Sequence, residues 1–559
     1  MSKVPAPNTR LRLAVATAVG FVAASLAVPM AAAHWWFTPD SIEQLAIANA
    51  WVNGAGFVDP IQWSYHQNAG PPLPGGSVRP PLVSLLLAIP LALGADLTSV
   101  FVLHALWASC VVGATVWVAS GFMNLGVAAA FGLLLGASPG WFFVARSPLT
   151  EVTGCAALLA VLATAGGLLR SPSRALVCAG FTWLAWLARP NLGALVLAVA
   201  AAAAWELGPR AALRQRSCWA YVAGFAGLVL ATQLAVSSAT GSALYSGYDP
   251  ASLGVRDATE YGREQLGTWP FLRENAGEIA ATAAGRIESV GAGLFLAKGA
   301  QWHWLGWLAV IGVPWALLRR RDGIMAQRLS AFCALGFTLQ VVLNYAGYEP
   351  RYLLLPVVCG GLCGAGLLDA GLRRGSAALS ERSGQTLLPR WLPLLPAAAA
   401  ALWVTLGPAS DGTLRAWRLW DPEQRASLAA FLAGPPYESL CRLMQPDALV
   451  VARMPWQVSA ACGNAALRQP TNLHEPGIAE SFLEEKQPAY FVALDEQTSH
   501  WLGQRPELRA LARFETLALY AVREPGMGSR PWRAPPPLAC AGRGRACLER
   551  LRGPREAAP

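Results

Sequence analysis

Residues 13–33 read LAVATAVGFVAASLAVPMAAA, a run without a charged side chain. A helix needs about 20 apolar residues to cross the hydrocarbon core of a bilayer, so this run is long enough for one span. The segment 30–33, Met-Ala-Ala-Ala, resembles a signal-peptide cleavage site, but the apolar region of a signal peptide has only about 7–15 residues. We therefore interpret the run as a retained first membrane helix.

Apolar runs of this kind recur as far as Leu406. The chain of 559 residues is 54% hydrophobic and 14% charged, with a mean hydropathy of +0.38, whereas a soluble protein carries about 25% charged residues. The short, proline-interrupted stretch 80–95 is predicted to be an interfacial or half-embedded helix. The other runs predict a polytopic α-helical membrane protein of about eleven transmembrane helices: 13–33, 98–119, 124–141, 152–169, 175–188, 191–205, 218–238, 302–318, 329–347, 352–370 and 391–408.

The basic residues indicate orientation. A net charge of +10 raises the question of nucleic acid, but arginines concentrate in alternate loops, which the positive-inside rule assigns to the cytoplasm. The N-terminus is therefore predicted to be cytoplasmic, segments 34–97 and 239–301 to be external loops, and no nucleic-acid partner is expected. The clusters are Lys3/Arg10/Arg12, Arg170/Arg174, Arg210/Arg214/Arg216, Arg319/Arg320/Arg321/Arg328 and Arg373/Arg374/Arg382/Arg390.

The polarity changes at Asp411. A helix start is predicted at Asp421-Pro422, and strand-like apolar runs follow at 448–452, 490–494 and 517–522, which is typical of a small α/β domain. We expect a membrane domain over 1–410, an extracytoplasmic α/β domain over 411–524, and a poorly ordered tail rich in Pro, Arg and Gly over 525–559. In the second external loop, 271–298 has an amphipathic pattern that fits a helix on the membrane surface or one packed on the protein.

Seven of the 11 cysteines lie in or beside predicted membrane helices, where cysteine behaves as a small apolar residue. The other four, Cys441, Cys462, Cys540 and Cys547, fall in the predicted external region. Four cysteines in an oxidising compartment allow two disulfides in three pairings. Of these we favour 441–462 and 540–547.

The first external loop carries a candidate catalytic carboxylate. Thr38 can cap a helix that has Pro39 at its first position, so Asp40 lies in the first turn, where the helix dipole favours the ionised carboxylate. Such a group just outside the bilayer can accept a proton. Alternatively, Asp40 only stabilises its own helix start.

Three further external turns place arginine at the membrane boundary. Burial of such groups near lipid is unfavourable and usually marks function; for Arg189 a side chain that reaches to the interface is the simpler explanation. The turns are Arg146-Ser147-Pro148-Leu149-Thr150-Glu151, Arg189-Pro190-Asn191 and Tyr348-Glu349-Pro350-Arg351-Tyr352.

Five segments follow the acidic Asp40 in order along the chain: ANAWVNGAGF at 48–57, RPPLVSLLL at 79–87, RSPLTE at 146–151, LARPN at 187–191 and YEPRYLLLP at 348–356. In this order they resemble the C-type (GT-C) membrane glycosyltransferases, among them the bacterial protein O-mannosyltransferases and aminoarabinose transferases. The resemblance covers residues 1–410. Two departures argue against a protein acceptor: Ser41 follows Asp40 where mannosyltransferases have a second acid, and Arg79-Pro80-Pro81-Leu82 replaces their HPPLGK motif.

The resemblance implies a polyprenyl-phosphate sugar as donor and transfer at the non-cytoplasmic face of a bacterial inner membrane. It implies that Asp40 is the base and that Glu151 is a second catalytic acid. Residues expected to bind the substrate are Arg79, Arg146, Glu349, Arg351 and Tyr352.

The chemistry is consistent with those roles. A phosphate leaving group needs charge stabilisation, which arginine supplies through paired hydrogen bonds. One base without a carboxylate nucleophile implies a single displacement with inversion. The six histidines show no paired ligand spacing. However, His34 and His66 share a loop with Asp40 and Asp59, so a site for a divalent metal ion in this loop is kept as an alternative.

Two other functions remain as alternatives. A transporter or flippase would carry charged residues within its helices near the bilayer midplane, whereas here they concentrate at external helix ends. A non-catalytic envelope assembly protein would explain the external domain but not the arginines at the external turns.

Overall fold

The computed structural model describes residues 8–33, 38–62, 73–76, 79–241, 244, 260–262, 268–295, 302–319, 325–343, 349–383, 396–397, 399–400, 435–493, 496–514, 517–522, 535–542 and 547. Helices dominate the first part of the chain, with three two-residue strands among them. In chain order these elements are α1 (Thr9–Ala33), α2 (Pro39–Val52), β1 (Val58–Asp59), β2 (Ile61–Gln62), β3 (Leu73–Pro74), α3 (Pro81–Ala92), α4 (Leu97–Ala119), α5 (Leu125–Gly136), α6 (Pro139–Ala145), α7 (Thr150–Leu168), α8 (Pro172–Ala188), α9 (Leu195–Leu207), α10 (Pro209–Arg214), α11 (Arg216–Thr240), α12 (Thr268–Glu274), α13 (Ala276–Phe295), α14 (His303–Leu318), α15 (Met325–Leu343) and α16 (Leu354–Ser383). Short 3₁₀ helices precede α9 (Pro190–Ala194) and α16 (Pro350–Leu353).

Strands and helices alternate in the C-terminal part. The three predicted strands are confirmed as β4, β6 and β8, while β2, β5 and β7 were not predicted. The helix start predicted at Asp421 lies outside the described residues. The elements are α17 (Pro435–Leu443), β4 (Val450–Ala452), α18 (Pro455–Cys462), β5 (Ala466–Arg468), α19 (Ile478–Lys486), β6 (Tyr490–Ala493), α20 (Glu496–Gly503), β7 (Leu508–Phe514), β8 (Leu517–Val522) and a 3₁₀ turn (Leu538–Cys540).

Seven helices in the described ranges are long and apolar enough to cross a membrane, and an eighth span results if α5 and α6, bent by 66°, are counted as one. These are α1, α4, α7, α9 with its 3₁₀ start, α11, α15 and α16. Two more predicted spans correspond to α8 and α14, which have 17 and 16 residues. The predicted span 391–408 falls almost entirely outside the described residues. The protein is thus a polytopic helical membrane protein with a C-terminal α/β region.

Contacts divide the chain into two compact, discontinuous units. The helical unit comprises Met1–His34, Val102–Thr232 and Ala276–Asp421; the α/β unit comprises Trp35–Phe101, Gln233–Asn275 and Pro422–Pro559. The sequence places a single boundary near residue 410, whereas here both predicted external loops group largely with the C-terminal region.

Small residues allow close helix packing in the helical unit. A Cβ atom on Gly312 of α14 or on Gly364 of α16 would collide with the backbone of the facing helix. Membrane helices gain packing contacts in this way, since lipid offers no hydrophobic driving force between them. The amphipathic segment forms α13, with Val290 and Leu294 packed into the core while Ile287 is 62% exposed.

A six-stranded sheet organises the α/β unit, in the order β2-β5-β4-β6-β8-β7. Strands β2, β5, β4 and β6 are parallel to one another. Strand β8 pairs antiparallel with β6, and β7 pairs antiparallel with β8. Both faces are covered, because side chains alternate along a strand: Val450 and Ala452 of β4 pack in one apolar cluster and Val451 in another.

Two disulfides join Cys441 to Cys462 and Cys540 to Cys547, as favoured from the sequence. The second lies in the tail that was expected to be poorly ordered. Within the tail, residues 535–542 are instead folded: Leu538 is buried in the same cluster as Val458 of α18.

Candidate functional site

Local sequence positions Asp40 as expected. The Thr38 hydroxyl oxygen accepts a hydrogen bond from the Ser41 amide (3.1 Å), and the Ser41 hydroxyl oxygen accepts one from the Thr38 amide (3.0 Å). This reciprocal cap, with Pro39 at the first helical position, fixes where α2 begins. Asp40 consequently lies in the first turn of α2 and its side chain is 29% exposed.

Arg79 links two carboxylates of α2. Its Nη2 lies 2.8 Å from Asp40 Oδ1, and its Nε lies 2.6 Å from Glu43 Oε2. Asp40 and Glu43 are three residues apart, so they share one face of the helix. Glu43 is fully buried, whereas Asp40 reaches the surface of the unit.

A third carboxyl group, that of Asp59, adjoins Glu43 and completes what we call the carboxylate cluster: Asp40, Glu43, Asp59 and Arg79. Asp59 is buried, its Oδ1 accepts a hydrogen bond from the Ile61 amide (3.0 Å), and its side chain is hydrogen-bonded to Glu43. Burial, and then the neighbouring charge of Glu43, raise the pKa of Asp59 well above its usual value. Burial also raises the pKa of Glu43, but Arg79 opposes that effect.

The position of one proton follows. Glu43 Oε1 and Asp59 Oδ2 are both buried, and neither has a hydrogen-bond donor among the described residues when both groups are ionised. A proton on Asp59 satisfies both oxygens at once, because Asp59 then donates to the Glu43 carboxylate. Arg79 lies against Glu43 and favours its carboxylate form, whereas Asp59 has no such ion pair among the described residues, so a proton between the two acids is better placed on Asp59.

The helical unit carries a second cluster, here called the arginine network. Glu151, in the first turn of α7, is buried and lies 2.8 Å from Arg189 Nη1 and 3.6 Å from Arg351 Nε. Arg351 Nε also lies 2.5 Å from Glu349, whose side chain is 47% exposed. The guanidinium carbons of Arg189 and Arg351 lie 5.6 and 5.3 Å from the centre of the Tyr352 ring.

Arg146, the remaining predicted binding residue, caps the C-terminus of α6. Its guanidinium lies 5.6 Å from the centre of the Phe143 ring, and burial lowers its pKa. Because the group is partly desolvated, a hydrogen bond to an anionic partner is stronger here than it would be in water.

Six of the seven predicted site residues therefore fall into two groups, and the seventh, Arg146, lies at the end of α6. Asp40 and Arg79 meet in the α/β unit, and Glu151, Glu349, Arg351 and Tyr352 meet in the helical unit. The sequence did not indicate Glu43, the pairing of Asp59 with Glu43, or the role of Arg189. The spacing of Asp40 and Glu43 on one helix face was a usable signal for Glu43. The sequence alone favours an interfacial anchor for Arg189, whereas in the structure its side chain is only 16% exposed and pairs with Glu151.

The carboxylate cluster does not fit a divalent metal ion as it is arranged here. Arg79 already pairs with both Asp40 and Glu43, and burial raises the pKa of Asp59 and so disfavours its charged form. No group of three potential ligands occurs among the described residues, and His34 and His66 lie outside them. Metal binding stays a prediction.

No protein-family model and no curated protein sequence matches this chain. Among solved structures, the apo oligosaccharyltransferase of Archaeoglobus fulgidus is similar with a TM-score of 0.51 at 12% identity, over 88% of this chain and 70% of that one. ArnT from Cupriavidus metallidurans bound to undecaprenyl phosphate gives a TM-score of 0.47 at 16% identity, over 92% and 97%. The likeness to the oligosaccharyltransferase lies in the fold, and it confirms the predicted resemblance at that level.

Proposed function

We propose that this protein is a glycosyltransferase that moves a sugar from a polyprenyl-phosphate-linked donor to an acceptor on the non-cytoplasmic face of a bacterial inner membrane. The observation that carries the proposal is the arginine network: the buried Arg351 and the largely buried Arg189 converge on the buried carboxylate of Glu151 at the ends of apolar helices. Maintaining such groups beside lipid is unfavourable without a function, and a lipid phosphate is a ligand of complementary charge. The oligosaccharyltransferase fold supports the same class of reaction.

In this proposal Arg351 and Arg146 bind the donor phosphate. Glu349 is the exposed partner of Arg351, so a phosphate oxygen can replace the Glu349 carboxylate without breaking the buried contact to Glu151. Tyr352 presents its ring beside both guanidinium groups and limits their movement. Glu151, held by Arg189, keeps Arg351 oriented and serves as the alternative catalytic acid.

Asp40 is the proposed base. The ion pair with Arg79 orients its carboxylate, and its partial exposure leaves it accessible to an acceptor. An acceptor oxygen or nitrogen attacks the anomeric carbon and forms the new glycosidic bond. The bond from that carbon to the phosphate oxygen breaks, its electron pair leaves with the phosphate, and Asp40 takes the acceptor proton. The anomeric configuration inverts in this single displacement.

The variant Asp40→Asn tests this role. A general base contributes about 10²–10⁴-fold to a rate, so we expect single-turnover transfer from a labelled polyprenyl-phosphate sugar to fall by that range while donor binding survives. If Asp40 only stabilises its helix, the variant should lose about 1 kcal/mol or less and retain its rate.

Asp96→Asn is the matched control, because Asp96 Oδ1 accepts a hydrogen bond from the Ser99 amide (2.8 Å) at the start of α4. Its rate should equal that of the wild type. A folded Asp40→Asn protein with normal turnover would exclude the base and leave Glu151 as the candidate. Uptake of solute into vesicles without consumption of donor would instead identify a transporter.

A further inference from the structure

The parallel part of the sheet contains a topological switch point, at which the order of successive strands across the sheet reverses. From β4 the chain passes through α18 to β5 on one side, and then through α19 to β6 on the other side of β4. In open α/β sheets, ligands bind outside the carboxyl ends of the strands at such a switch point. The segment Arg453-Met454-Pro455-Trp456, which follows β4, lies at this edge.

A cavity of about 360 Å³ is found at these strand ends, within the range of small-molecule sites. Each strand contributes to it through the residues that follow it. The polar and aromatic lining consists of Arg453 after β4, Gln469, Thr471 and His474 after β5, and Gln497, Thr498 and Trp501 of α20 after β6.

The walls of the cavity are fixed by contacts outside it. The backbone amide of Gln469 donates a hydrogen bond to the Ala452 carbonyl oxygen (2.9 Å), which connects the end of β5 to the end of β4. The buried Asn472 side chain bonds both the amide (2.8 Å) and the carbonyl (2.9 Å) of Tyr261. Arg505 stacks 4.4 Å from the centre of the Trp501 ring. A cavity held in this way needs little reorganisation to bind a ligand.

The lining has a defined chemistry. Gln469 Oε1 is buried and has no donor among the described residues, so a ligand hydroxyl would satisfy it. Threonine hydroxyls and the Trp501 ring add hydrogen-bonding groups and a flat apolar surface. Arg453 suits a carboxylate or phosphate, and the lining residues that the structure describes include no carboxylate that would repel one.

We propose that this cavity binds a saccharide that carries an acidic group, the Trp501 ring contacting the sugar and Arg453 pairing with the acid. The assignment of that saccharide as the acceptor glycan rests on the proposed function. The existence of the site does not, because binding can be measured without any donor.

The test uses the full-length protein purified in detergent and three probes: digalacturonate, neutral digalactose and inorganic phosphate. We expect digalacturonate to bind at least about tenfold more tightly than digalactose, the effect of one charge-assisted hydrogen bond. Arg453→Gln should remove that preference and leave weak binding of both sugars, and Trp501→Leu should weaken both sugars. Arg509→Gln, an exposed arginine on the edge strand β7, should change neither.

The outcomes separate the alternatives. No binding of either sugar, or binding that survives both Arg453→Gln and Trp501→Leu, overturns the proposal. Tighter binding of phosphate than of digalacturonate makes the cavity a phosphate site and also overturns it. If Trp501→Leu unfolds, Gln469→Glu introduces a repelling charge with little change of shape and should weaken digalacturonate alone. Sugar binding without transfer activity would contradict only the proposed function.

Discussion

At the scale of single residues, the carboxylate cluster illustrates how burial decides where a proton resides. Arg79 can neutralise only part of the negative charge of three acids. The charge of Asp59 is the least compensated, because burial and the charge of Glu43 both raise its pKa. A proton on Asp59 allows it to donate to Glu43, Glu43 pairs with Arg79, and Arg79 pairs with Asp40. Asp59 is therefore a positioning residue for the proposed base.

This arrangement predicts a pH-dependent stability. Because the pKa of Asp59 is higher in the folded protein than in the unfolded chain, its contribution is complete below the unfolded value and is lost as pH rises through the folded value. The slope approaches about 1.4 kcal/mol per pH unit within that window. Asp59→Asn does not titrate, accepts from Ile61 and can donate to Glu43. We expect it to flatten the dependence of the melting temperature on pH and to be at least as stable as the wild type at neutral pH.

Melting temperatures of the wild type, Asp59→Asn and the control Asp96→Asn between pH 5 and 8 check this expectation. The control should follow the wild type. A wild-type profile without slope, or an Asp59→Asn protein that melts lower at neutral pH, would contradict the shared proton.

Arg351 allows a second prediction at this scale. Lysine retains the charge but loses the planar fork, so Arg351→Lys should weaken donor binding by about tenfold to a hundredfold, as expected for a hydrogen bond to a charged group. Glu349→Gln removes the carboxylate that competes with phosphate and should maintain or increase donor affinity. Donor titration of the purified variants measures both effects.

Arg373→Lys is the control, because the half-exposed Arg373 pairs with the buried Asp369 of the same helix and lysine retains the charge of that pair. Donor affinity unaffected by Arg351→Ala would rule out Arg351 as the phosphate ligand.

Residue roles were predictable where the signal was local. The start of α2 and the turns at Glu151 and Arg351 are encoded within a few positions, through proline, a capping hydroxyl and a helix boundary. Asp59 and Arg189 acquire their roles from partners 16 and 38 positions distant in the chain, and only the folded backbone brings those partners together.

At the scale of elements, length and apolarity identified the helices well. The strands were harder to predict: β5 has three residues and β2 two, too short for an alternating pattern, and they exist because neighbouring strands supply their hydrogen bonds. The bend between α5 and α6 was also missed. Ser138 caps α6 and Pro139 begins it, a helix start that lies inside an otherwise continuous apolar run.

The cap of α2 gives the prediction at this scale. Thr38→Ala removes the acceptor for the Ser41 amide and should lower the free energy of unfolding by about 1 kcal/mol. Since Asp40 lies in the same turn, fraying should also reduce turnover. Thr38→Ser preserves the hydroxyl and should retain both properties. Thermal unfolding and transfer rates measured on the two variants separate the effects, and equal behaviour of alanine and serine would show that the cap is dispensable.

At the scale of the whole molecule, a single boundary near residue 410 does not describe how the chain is organised. Strand β2 belongs to the first external loop, yet it pairs with β5 in the C-terminal region, and Tyr261 of the second loop is bonded to Asn472. Hydropathy detects membrane spans, but it holds no information on which loops join a common sheet. The fold class was therefore predictable, and the composition of the α/β unit was not.

Membrane topology gives the last prediction, which depends on the interpretation of 80–95 as a helix that does not cross the bilayer. Its counterpart α3 has 12 residues, fewer than the roughly 20 required for a span. If 80–95 does not cross the bilayer, Arg210 is cytoplasmic and Arg273, beyond α11, is external.

Both side chains are exposed, so Arg210→Cys and Arg273→Cys form a matched pair. In intact cells an impermeant maleimide should label Arg273→Cys and not Arg210→Cys, after subtraction of the wild-type background from native cysteines. Permeabilised cells should label both, which establishes that each thiol is reactive. The opposite pattern would require 80–95 to cross the membrane, would invert every later loop, and would move the arginine network to the cytoplasmic face.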